Sequence, residues 1–308
     1  MQKIDALNTE PRTLNSERSD PERRTPSEPE ALTGRRPNSQ LFPSAIRNPQ
    51  SALQFTPAEL MVSVAAREIS DGDVVFVGMR LPLLAFILAK KTHAPGAIGL
   101  FENGVLREAP ASSAIVTMGD PPNIHLATMC CDMLTVMGFL QKGKVDVGFI
   151  GGAEVDRFGN LNTTRISLPR GFVRLPGSGG GGDIASLSRK LLIIMPHEKR
   201  RFVEKVGYIT SSGYGLGGDW RKDQGLVRGG PAAIITTLGV LRFHPETKEA
   251  FLAQVHPGIS TDQVKDETGW DLKILPDLTT TPLPTAQDLY IIRQYDPRGF
   301  WTGQKKDL

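Results

Sequence analysis

Between residues 56 and 101 the chain alternates between helical and extended hydrophobic patterns. A capping box, Thr56-Pro57-Ala58-Glu59, opens the first helix. A turn then leads into the short apolar strand Val74–Val77, and Pro82 opens a second helix that should end near Thr92. The apolar run Ile98–Phe101 predicts the next strand. Helix, strand, helix and strand therefore follow one another, as they do in α/β domains.

Further along, the chain continues this pattern and adds hairpins. Apolar runs at Val145–Ile150 and Leu191–Met195 predict buried strands. Two segments, Asp156–Asn160 and His244–Thr247, are typical of hairpin turns. Because the apolar strands do not alternate with polar residues, both faces of the sheet should be covered. We therefore predict one α/β domain, residues 54–308, with a mixed, mostly parallel open sheet, helices on both faces and a C-terminal helical tail.

The first 53 residues have a different composition. Residues 1 to 50 carry seven of the 23 prolines and a single aromatic residue, Phe42, so they offer little apolar surface to bury. We interpret residues 1–53 as a disordered N-terminal extension. Its arginine pairs, Arg23-Arg24 and Arg35-Arg36, leave binding to an acidic partner open, although a solvated tail is the simpler interpretation.

Charge and cysteine content narrow the class of protein. The 36 Lys and Arg residues nearly balance the 33 Asp and Glu residues, so no overall field favours nucleic acid or a membrane as a partner. The two cysteines, Cys130 and Cys131, are adjacent and poorly placed to bond to each other. With no signal-peptide pattern and no long apolar run, we expect a soluble protein of the cytoplasm.

Glu102 is the first candidate for chemistry. It follows the predicted strand Ile98–Phe101 and precedes Asn103-Gly104, a dipeptide that favours a tight turn. In open parallel sheets, ligands bind beyond the carboxyl ends of the strands. A carboxylate at that edge can act as a nucleophile toward an activated carbonyl group. The alternative, a loop glutamate in water, remains open on spacing alone.

A glycine-rich segment, Gly177-Ser178-Gly179-Gly180-Gly181-Gly182-Asp183, is the second candidate. Successive backbone N–H groups in such a segment can bind an oxyanion or a phosphate. It lacks the Lys-Ser or Lys-Thr of a Walker motif. It also lacks the dinucleotide-binding pattern, because neither a strand before it nor a clear helix after it is evident. A flexible linker is an equally good interpretation.

Other polar clusters have simpler explanations. The run His197-Glu198-Lys199-Arg200-Arg201 could bind phosphates and His197 could act as a base, but a solvated helix face is the more common meaning of such a run. Cys130-Cys131 lies in an apolar stretch that favours buried packing over a nucleophilic thiol. The five histidines show no metal-binding spacing, so we assign no metal site.

Taken together, these landmarks resemble the β subunit of family I coenzyme A transferases, most closely the B-type subunit of glutaconate CoA-transferase. The matching segments keep their order across about residues 56 to 275, which gives the set its specificity. They are Leu81-Pro82-Leu83, Thr92-His93-Ala94-Pro95, Glu102-Asn103-Gly104, Phe149-Ile150-Gly151-Gly152-Ala153, Gly159-Asn160-Leu161-Asn162, the glycine-rich segment and His197-Glu198-Lys199-Arg200-Arg201-Phe202.

The resemblance implies a CoA transferase that moves CoA from an acyl-CoA to a carboxylic acid, with Glu102 as the catalytic nucleophile. It implies glutamyl-anhydride and glutamyl-CoA thioester intermediates, with the backbone of Gly179, Gly180 and Gly181 as the oxyanion and CoA-binding site. Coenzyme A enters as a substrate, and no tightly bound cofactor is expected. An α-type partner subunit would complete an αβ or α2β2 assembly.

The sequence departs from the family pattern at two positions near the expected site. The turn Gly78-Met79-Arg80-Leu81-Pro82 has Arg80 where the family usually has glycine, and Glu154 stands where glutamine is frequent. We assign Arg80, Asn103 and Glu154 to substrate binding; Arg80 could select an acidic acyl group or point to solvent. Two other functions stay open. The chain could be a β subunit of a ring-opening carbon–carbon hydrolase of steroid catabolism, or a non-catalytic subunit for acyl-CoA binding or assembly.

Overall fold

The structure, a computed structural model, describes residues 54–226 and 228–303. The predicted disordered extension, residues 1–53, lies outside the described residues. The helices are α1 Pro57–Arg67, α2 Leu81–Lys91, α3 Pro121–Ile124, α4 Met133–Gln141, α5 Gly181–Leu187, α6 Trp220–Asp223, α7 Thr261–Asp266 and α8 Ala286–Tyr295. The strands are β1 Val74–Phe76, β2 Ile98–Leu100, β3 Val105–Arg107, β4 Met129–Cys130, β5 Val147–Ile150, β6 Glu154–Val155, β7 Leu161–Asn162, β8 Arg165–Ser167, β9 Phe172–Arg174, β10 Lys190–Ile194, β11 Pro231–Ile235, β12 Gly239–Phe243, β13 Ala250–Val255 and β14 Lys273–Thr280.

One large sheet organises the described part of the chain. Its ten strands lie in the order β14-β13-β12-β11-β10-β5-β1-β2-β3-β4. The five central strands, from β11 to β2, are mutually parallel. Antiparallel pairings extend the sheet at both sides, and the outermost strand β14 pairs parallel with β13. Two small hairpins, β6-β7 and β8-β9, stand apart from it. The predicted mixed, mostly parallel open sheet is confirmed.

Helices cover both faces of this sheet, as predicted. Side chains of α1, α2 and α8 form one apolar cluster with alternate residues of the central strands, for example Val75 and Leu192. The residues between them, such as Phe76 and Leu191, face the second cluster with α4 and α5. Apart from Lys190 at the start of β10, the short parallel strands are apolar because each of their faces meets a helical layer. No helix in the described residues combines the length and the apolar content needed to cross a membrane.

An ion pair connects the first and last helices of the described chain. The predicted capping box is present: the Thr56 hydroxyl accepts from the Glu59 N–H, and the Glu59 carboxylate accepts from the Thr56 N–H. Glu59 is fully buried, and its Oε1 lies 2.8 Å from Nε of Arg293 on α8. The Thr56 hydroxyl also donates to the carbonyl oxygen of Thr302 at 2.8 Å. The predicted C-terminal helix therefore packs against α1 and α2.

One expectation about local structure is wrong. The sequence showed no helix after the glycine-rich segment, yet α5 begins at Gly181. Its support comes from packing rather than propensity, because α5 lies directly on strand β5. A Cβ atom on Gly148 would stand 2.5 Å from both Ile184 Cγ2 and Ser188 Oγ. Glycine in the strand thus permits the contact that holds the helix.

Candidate active site

Glu102 lies immediately beyond strand β2, in the turn that leads to β3. Gly104 closes this turn with a φ of 101°, and a Cβ atom there would stand 1.9 Å from the carbonyl oxygen of Cys131. The N–H of Gly104 donates to the carbonyl oxygen of Phe101, and its own carbonyl accepts from the N–H of Cys131. Only glycine fits a position with this backbone angle and this contact. The turn is thereby fixed, with Glu102 at the carboxyl end of a parallel strand.

The Glu102 carboxylate faces the glycine-rich segment. A Cβ atom on Gly180 would lie 3.1 Å from Glu102 Oε1 and 3.3 Å from the terminal methyl carbon of Met137 on α4. Glu102 is half-buried and Gly180 is buried. The two candidate elements, 78 residues apart in sequence at these positions, therefore meet at one place.

The backbone amides of the glycine segment differ in what they bind. The N–H of Gly181 donates to the carbonyl oxygen of Ser178 at 2.8 Å, so it is committed to a turn. Gly179, which has a φ of 48°, and Gly180 have N–H groups without an acceptor in the described part of the chain. Buried N–H groups normally find a partner. Gly180, which is buried, therefore offers a donor beside the Glu102 carboxylate; Gly179 is exposed with its N–H directed at no acceptor in the described residues, and the N–H of Gly181 is already used.

Arg80 lies between β1 and α2, where it forms the N-cap of that helix. It has a φ of 70°, a backbone conformation that glycine favours. Its guanidinium lies over the ring of Trp301, 5.6 Å from the centroid. Together with Met61, Arg201 and other residues these two side chains line a cavity of about 460 Å³.

Asn103 and Glu154 are placed apart from the Glu102 carboxylate. The Asn103 amide is exposed and donates to the carbonyl oxygen of Met118 at 2.9 Å. Glu154 Oε2 accepts from the Asn162 amide at 2.7 Å, within the β6-β7 hairpin. No contact in the described structure brings either side chain to Glu102 or to Gly180.

A comparison with known families decides what this arrangement belongs to. The family model described as Coenzyme A transferase matches residues 59–267, which include Glu102 and the whole glycine-rich segment. The chain belongs to the coenzyme A transferase family. Enzymes of this family use coenzyme A as a substrate.

Individual relatives agree with this membership. The B subunit of 3-oxoadipate CoA-transferase from Pseudomonas knackmussii is 37% identical over 246 residues, covering 79% of this chain and 94% of the relative. The B subunit of glutaconate CoA-transferase from Acidaminococcus fermentans is 34% identical and covers 71% of this chain and 85% of the relative. The crystal structure of glutaconate coenzyme A-transferase from the same species superimposes with a TM-score of 0.75 at 31% identity, covering 81% of this chain and 98% of that chain. The predicted family, subunit type and enzyme class are confirmed.

A shorter match connects the family to different chemistry. The IpdB subunit of the cholesterol ring-cleaving hydrolase of Mycobacterium bovis is 27% identical over 151 residues, which is 48% of this chain. Relatives of this chain therefore include a subunit named as a hydrolase as well as subunits named as transferases.

The predicted cationic run at 197–201 is not a solvated helix face. His197 is buried, stacks on Phe202 with 3.7 Å between ring centroids, and hydrogen-bonds through both ring nitrogens to the hydroxyls of Thr236 and Thr268. Burial lowers the pKa of His197 to about 3, with a smaller contribution from His256. Such an imidazole stays neutral and holds the core together.

Three cations follow His197, and the single carboxylate among them belongs to Glu198. Arg200 and Arg201 both pair with the carboxylate of Glu198. The loop that contains these residues begins at the carboxyl end of β10, and it re-enters the core at Phe202, which is fully buried. The run is thus a turn in which both arginines share one carboxylate, so their guanidinium groups already have a partner.

The cysteine pair is also placed differently from the prediction. Cys130 is exposed on the edge strand β4, and Cys131 is half-buried with its thiol donating to the carbonyl oxygen of Gly104. Burial, with the neighbouring Asp132, raises the pKa of the Cys131 thiol. A raised pKa disfavours the thiolate that a nucleophile needs. The apolar stretch around them is surface, since Met133 and Leu134 are exposed. In the described residues, no group of three or more His, Cys, Asp or Glu side chains is placed to hold a metal ion.

Two neighbours of the glycine segment were missed at the sequence level. Met137 touches the Gly180 position from α4, and nothing in a lone methionine of an apolar helix indicates that contact. The β8-β9 hairpin enters the segment from its N-terminal side. Its signal was available: apolar and polar residues alternate before Pro169-Arg170-Gly171, which is a turn sequence, and the β-favouring pair Phe172-Val173 follows it.

Proposed function

We propose that this chain is the B-type subunit of a CoA transferase that works through covalent catalysis at Glu102. The observation that carries the proposal is the meeting of the Glu102 carboxylate with Gly180, beside two amides that lack acceptors in the described part of the chain. A nucleophile and oxyanion donors at one place are what acyl transfer requires. Two relatives of this chain are CoA-transferase subunits named for the carboxylic acids 3-oxoadipate and glutaconate, which fits a carboxylate as the attacking group.

The proposed reaction proceeds by exchange of acyl bonds. An oxygen of Glu102 attacks the thioester carbonyl of the donor, the C–S bond breaks, and CoA leaves as thiolate to give an acyl-glutamyl anhydride. The thiolate then attacks the glutamyl carbonyl, which expels the donor as its free carboxylate and leaves a glutamyl-CoA thioester. The acceptor carboxylate attacks that thioester and the same two steps run in reverse. Charge is carried by carboxylates and thiolate throughout, so no step needs a general base.

The glycine segment would stabilise the tetrahedral intermediates. In this proposal the N–H groups of Gly179 and Gly180 donate to the oxyanion, and Gly181 shapes the turn that presents them. Removing one such donor in other acyl-transfer enzymes costs roughly 3 to 4 kcal/mol of transition-state stabilisation. Both intermediates hydrolyse readily, so water also has to be kept away from Glu102.

A partner subunit is the proposed means of excluding water. Relatives of this chain are named as B subunits. An apolar strip on this chain fits such a partner: five exposed apolar side chains occur between residues 116 and 134, with Leu126 exposed by 79% and Leu134 by 81%. Its last two members, Met133 and Leu134, follow Cys131, which meets the Glu102 turn, and begin α4, which carries Met137. An α-type subunit seated there would cover Glu102 and give an αβ or α2β2 assembly.

The partner surface can be tested by co-purification. Leu134→Glu should prevent this chain from co-purifying with its co-expressed α-type subunit, because the change places a charge in the covered surface. Leu216→Glu is the matched control, since Leu216 is exposed by 74% beside Phe158 in another part of the chain. Equal recovery of the complex with both variants would contradict the assignment of the strip.

Arg80 supports a further expectation about the acyl group. Its cavity also receives Arg201, so two guanidinium groups line it. 3-Oxoadipate and glutaconate, after which two relatives are named, are both dicarboxylates. We propose that the acyl substrate is acidic and that Arg80 contributes to its selection, with Asn103 and Glu154 acting through the loops that they hold.

The covalent intermediate provides the decisive experiment. The assembled complex, incubated with acyl-CoA and no acceptor, should carry CoA on Glu102. Borohydride should reduce that thioester and inactivate the enzyme, and peptide mapping should place the change in the segment Phe101-Glu102-Asn103. Glu102→Gln should abolish loading, whereas Glu108→Gln, at an exposed carboxylate beyond the other end of the β2-β3 pair, should not. Labelling elsewhere, or turnover without labelling, would refute the role of Glu102.

The need for a carboxylic acid acceptor distinguishes a transferase from the alternative, a hydrolase. A ring-opening hydrolase adds water to its substrate and needs no carboxylic acid, whereas a transferase stalls at the glutamyl-CoA thioester until an acid arrives. The proposal of transfer rests on Glu102, and the family relatives with the larger coverage support it. Product formation in the complex that depends on acceptor concentration is the expected result. Steady CoA-thioester turnover without any acceptor would favour the hydrolase.

A further inference from the structure

Two arginines face each other on the hairpin that leads into the glycine segment. Arg165 of β8 and Arg174 of β9 are directly paired in the antiparallel register. Like charges in that position repel and destabilise a two-stranded sheet. Both residues are exposed, and neither forms an ion pair within the described part of the chain. A bound anion would reduce the repulsion between these two guanidinium groups.

Aromatic side chains stand beside this arginine pair. The Arg165 guanidinium lies 5.8 Å from the ring centroid of Phe172 and 5.2 Å from that of Tyr208. Both rings are exposed over about half of their surface, with Phe172 at 51% and Tyr208 at 42%. Arg165, Arg174 and these rings line a cavity of about 340 Å³ together with Pro176 and Gly177. Guanidinium groups suit phosphates, and exposed rings suit stacking on a planar base.

The base of this hairpin is held in place by hydrogen bonds. The buried Asn162 side chain accepts from the Thr164 N–H at 3.0 Å and donates to the carbonyl oxygen of Arg165 at 2.7 Å. Glu154 fixes the same amide from the other side. Thr163 bonds to Gly177 through both its carbonyl oxygen and its hydroxyl. The cavity is therefore formed on a supported hairpin, and Glu154 acts as a positioning residue for it.

A short segment of the chain connects the cavity with the residue that touches Glu102. Gly177 lines the cavity, and Gly180 touches Glu102. Three residues span at most about 11 Å when fully extended. A ligand whose phosphates lie in the cavity could reach the Glu102 carboxylate with a flexible arm, and CoA has that form: a thiol-bearing pantetheine arm attached to a phosphorylated adenosine.

We propose that the cavity of the β8-β9 hairpin binds the phosphorylated nucleotide portion of coenzyme A, with Arg165 and Arg174 on its phosphates and with Phe172 or Tyr208 against its base. The inference rests on the proposed function for its ligand and extends it by placing the nucleotide. As the candidate site for the phosphates of CoA, this cavity takes the place of the run at 197–201, whose arginines are paired with Glu198. The nucleotide end would thus orient the thioester while making no contact with the reacting atoms.

The test is a binding measurement that needs no chemistry. Adenosine 3′,5′-bisphosphate is titrated calorimetrically into the assembled complex carrying Glu102→Gln. Adding Arg174→Ala should weaken binding about tenfold or more, the usual effect of losing a charge-assisted hydrogen bond. Arg170→Ala removes the same charge from the turn of the same hairpin, outside the cavity, and should change Kd less than about threefold. Equal Kd values for the two variants would overturn the proposal.

Two further measurements, Tm without ligand and the affinity for pyrophosphate, distinguish a ligand site from a purely structural role of the two arginines. Without ligand, Arg174→Ala should raise Tm slightly, because it removes the repulsion with Arg165. Lower affinity together with an unchanged or higher Tm excludes misfolding as the cause, and a lowered Tm would contradict the proposed repulsion. Pyrophosphate alone should bind far more weakly than the nucleotide, and equal binding would refute recognition of the base. Because binding is measured without Glu102, a failed covalent-loading experiment and a failed binding experiment give different results.

Discussion

The contact between Gly180 and Glu102 can be tested with a single methyl group. Gly180 has φ −77° and ψ 2°, a backbone conformation that alanine adopts without strain. The Cβ of Gly180→Ala would lie 3.1 Å from Glu102 Oε1, whereas an ordinary van der Waals contact of Cβ starts at 3.4 Å. The carboxylate or the loop therefore has to move by a few tenths of an ångström.

The rate effect can be estimated from that displacement. A misplacement of 1 Å in an active site costs about 100-fold, so a few tenths correspond to roughly fourfold if the effect scales evenly. The methyl group also stands beside the Gly180 N–H, the proposed oxyanion donor. We therefore expect kcat to fall about tenfold, with little change in the KM for acyl-CoA.

The control variant is Gly182→Ala, two residues further on in α5. Its Cβ would meet only the carbonyl oxygen of Thr210, at 3.9 Å, and would not touch Glu102. Both substitutions should leave Tm unchanged or slightly raised, because alanine restricts the unfolded chain more than glycine does. Steady-state kinetics and borohydride trapping of the assembled complexes compare the two. Full kcat and full thioester loading in Gly180→Ala would refute the argument that this contact positions the nucleophile.

Three other predictions follow from the described contacts. Gly104→Ala should abolish turnover and lower Tm, because its Cβ would collide with the carbonyl oxygen of Cys131 at a φ of 101°; a wild-type Tm would contradict this. Arg293→Met should destabilise the chain by about 3 kcal/mol in urea unfolding, because it leaves the buried Glu59 carboxylate without its cation, whereas the exposed Arg170→Met should have no measurable effect. The pKa of His197 is about 3 in the folded chain and ordinary, near 6.5, in the unfolded chain, so protons bind the unfolded state between these values and stability falls as pH drops through that window. His197→Gln should remove this term, so that wild type loses roughly 2 to 3 kcal/mol more than the variant between about pH 7 and pH 4.5; parallel urea-unfolding profiles for the two would show that the histidine is not the cause.

The elements that sequence analysis found have strong local signals. The capping box at Thr56, the apolar strands at β5 and β10 and the turn at Asp156–Asn160 each contain in a few residues the interactions that form them. Asp156, for example, accepts hydrogen bonds from the N–H groups of Phe158 and Asn160 inside its own turn. Such elements can be predicted because their hydrogen bonds are short-range in sequence.

The elements that were missed or misjudged depend on distant partners. Helix α5 begins with two glycines and forms because Gly148 lets it lie on the sheet. His197 belongs to the core because Thr236 and Thr268, which are 39 and 71 residues away, bond to its ring in place of water. Cys130 is exposed because β4 lies at the sheet edge, although its neighbours in sequence are apolar. Local composition carries none of this information.

The candidate site shows the same division. Glu102 and the glycine segment could each be picked out from sequence, since a strand end and a run of glycines are local features. Their contact could not be predicted from residue pattern, because it depends on how α4 and α5 pack against each other on one face of the sheet. Nor does the residue pattern indicate that the Gly181 amide donates to the carbonyl oxygen of Ser178 in the turn that starts α5.

The ion pair between α1 and α8 also constrains when the domain can mature during synthesis. Glu59 leaves the ribosome early, whereas its cation, Arg293, emerges 234 residues later. Until then α1 cannot bury that carboxylate without a penalty, and α2, which packs on α1, has an incomplete support. Closing so long a loop is slow, so the sheet edge that carries the candidate site settles only when translation is nearly complete. Chains still attached to the ribosome should therefore be cut by protease within α1, whereas the released chain should resist.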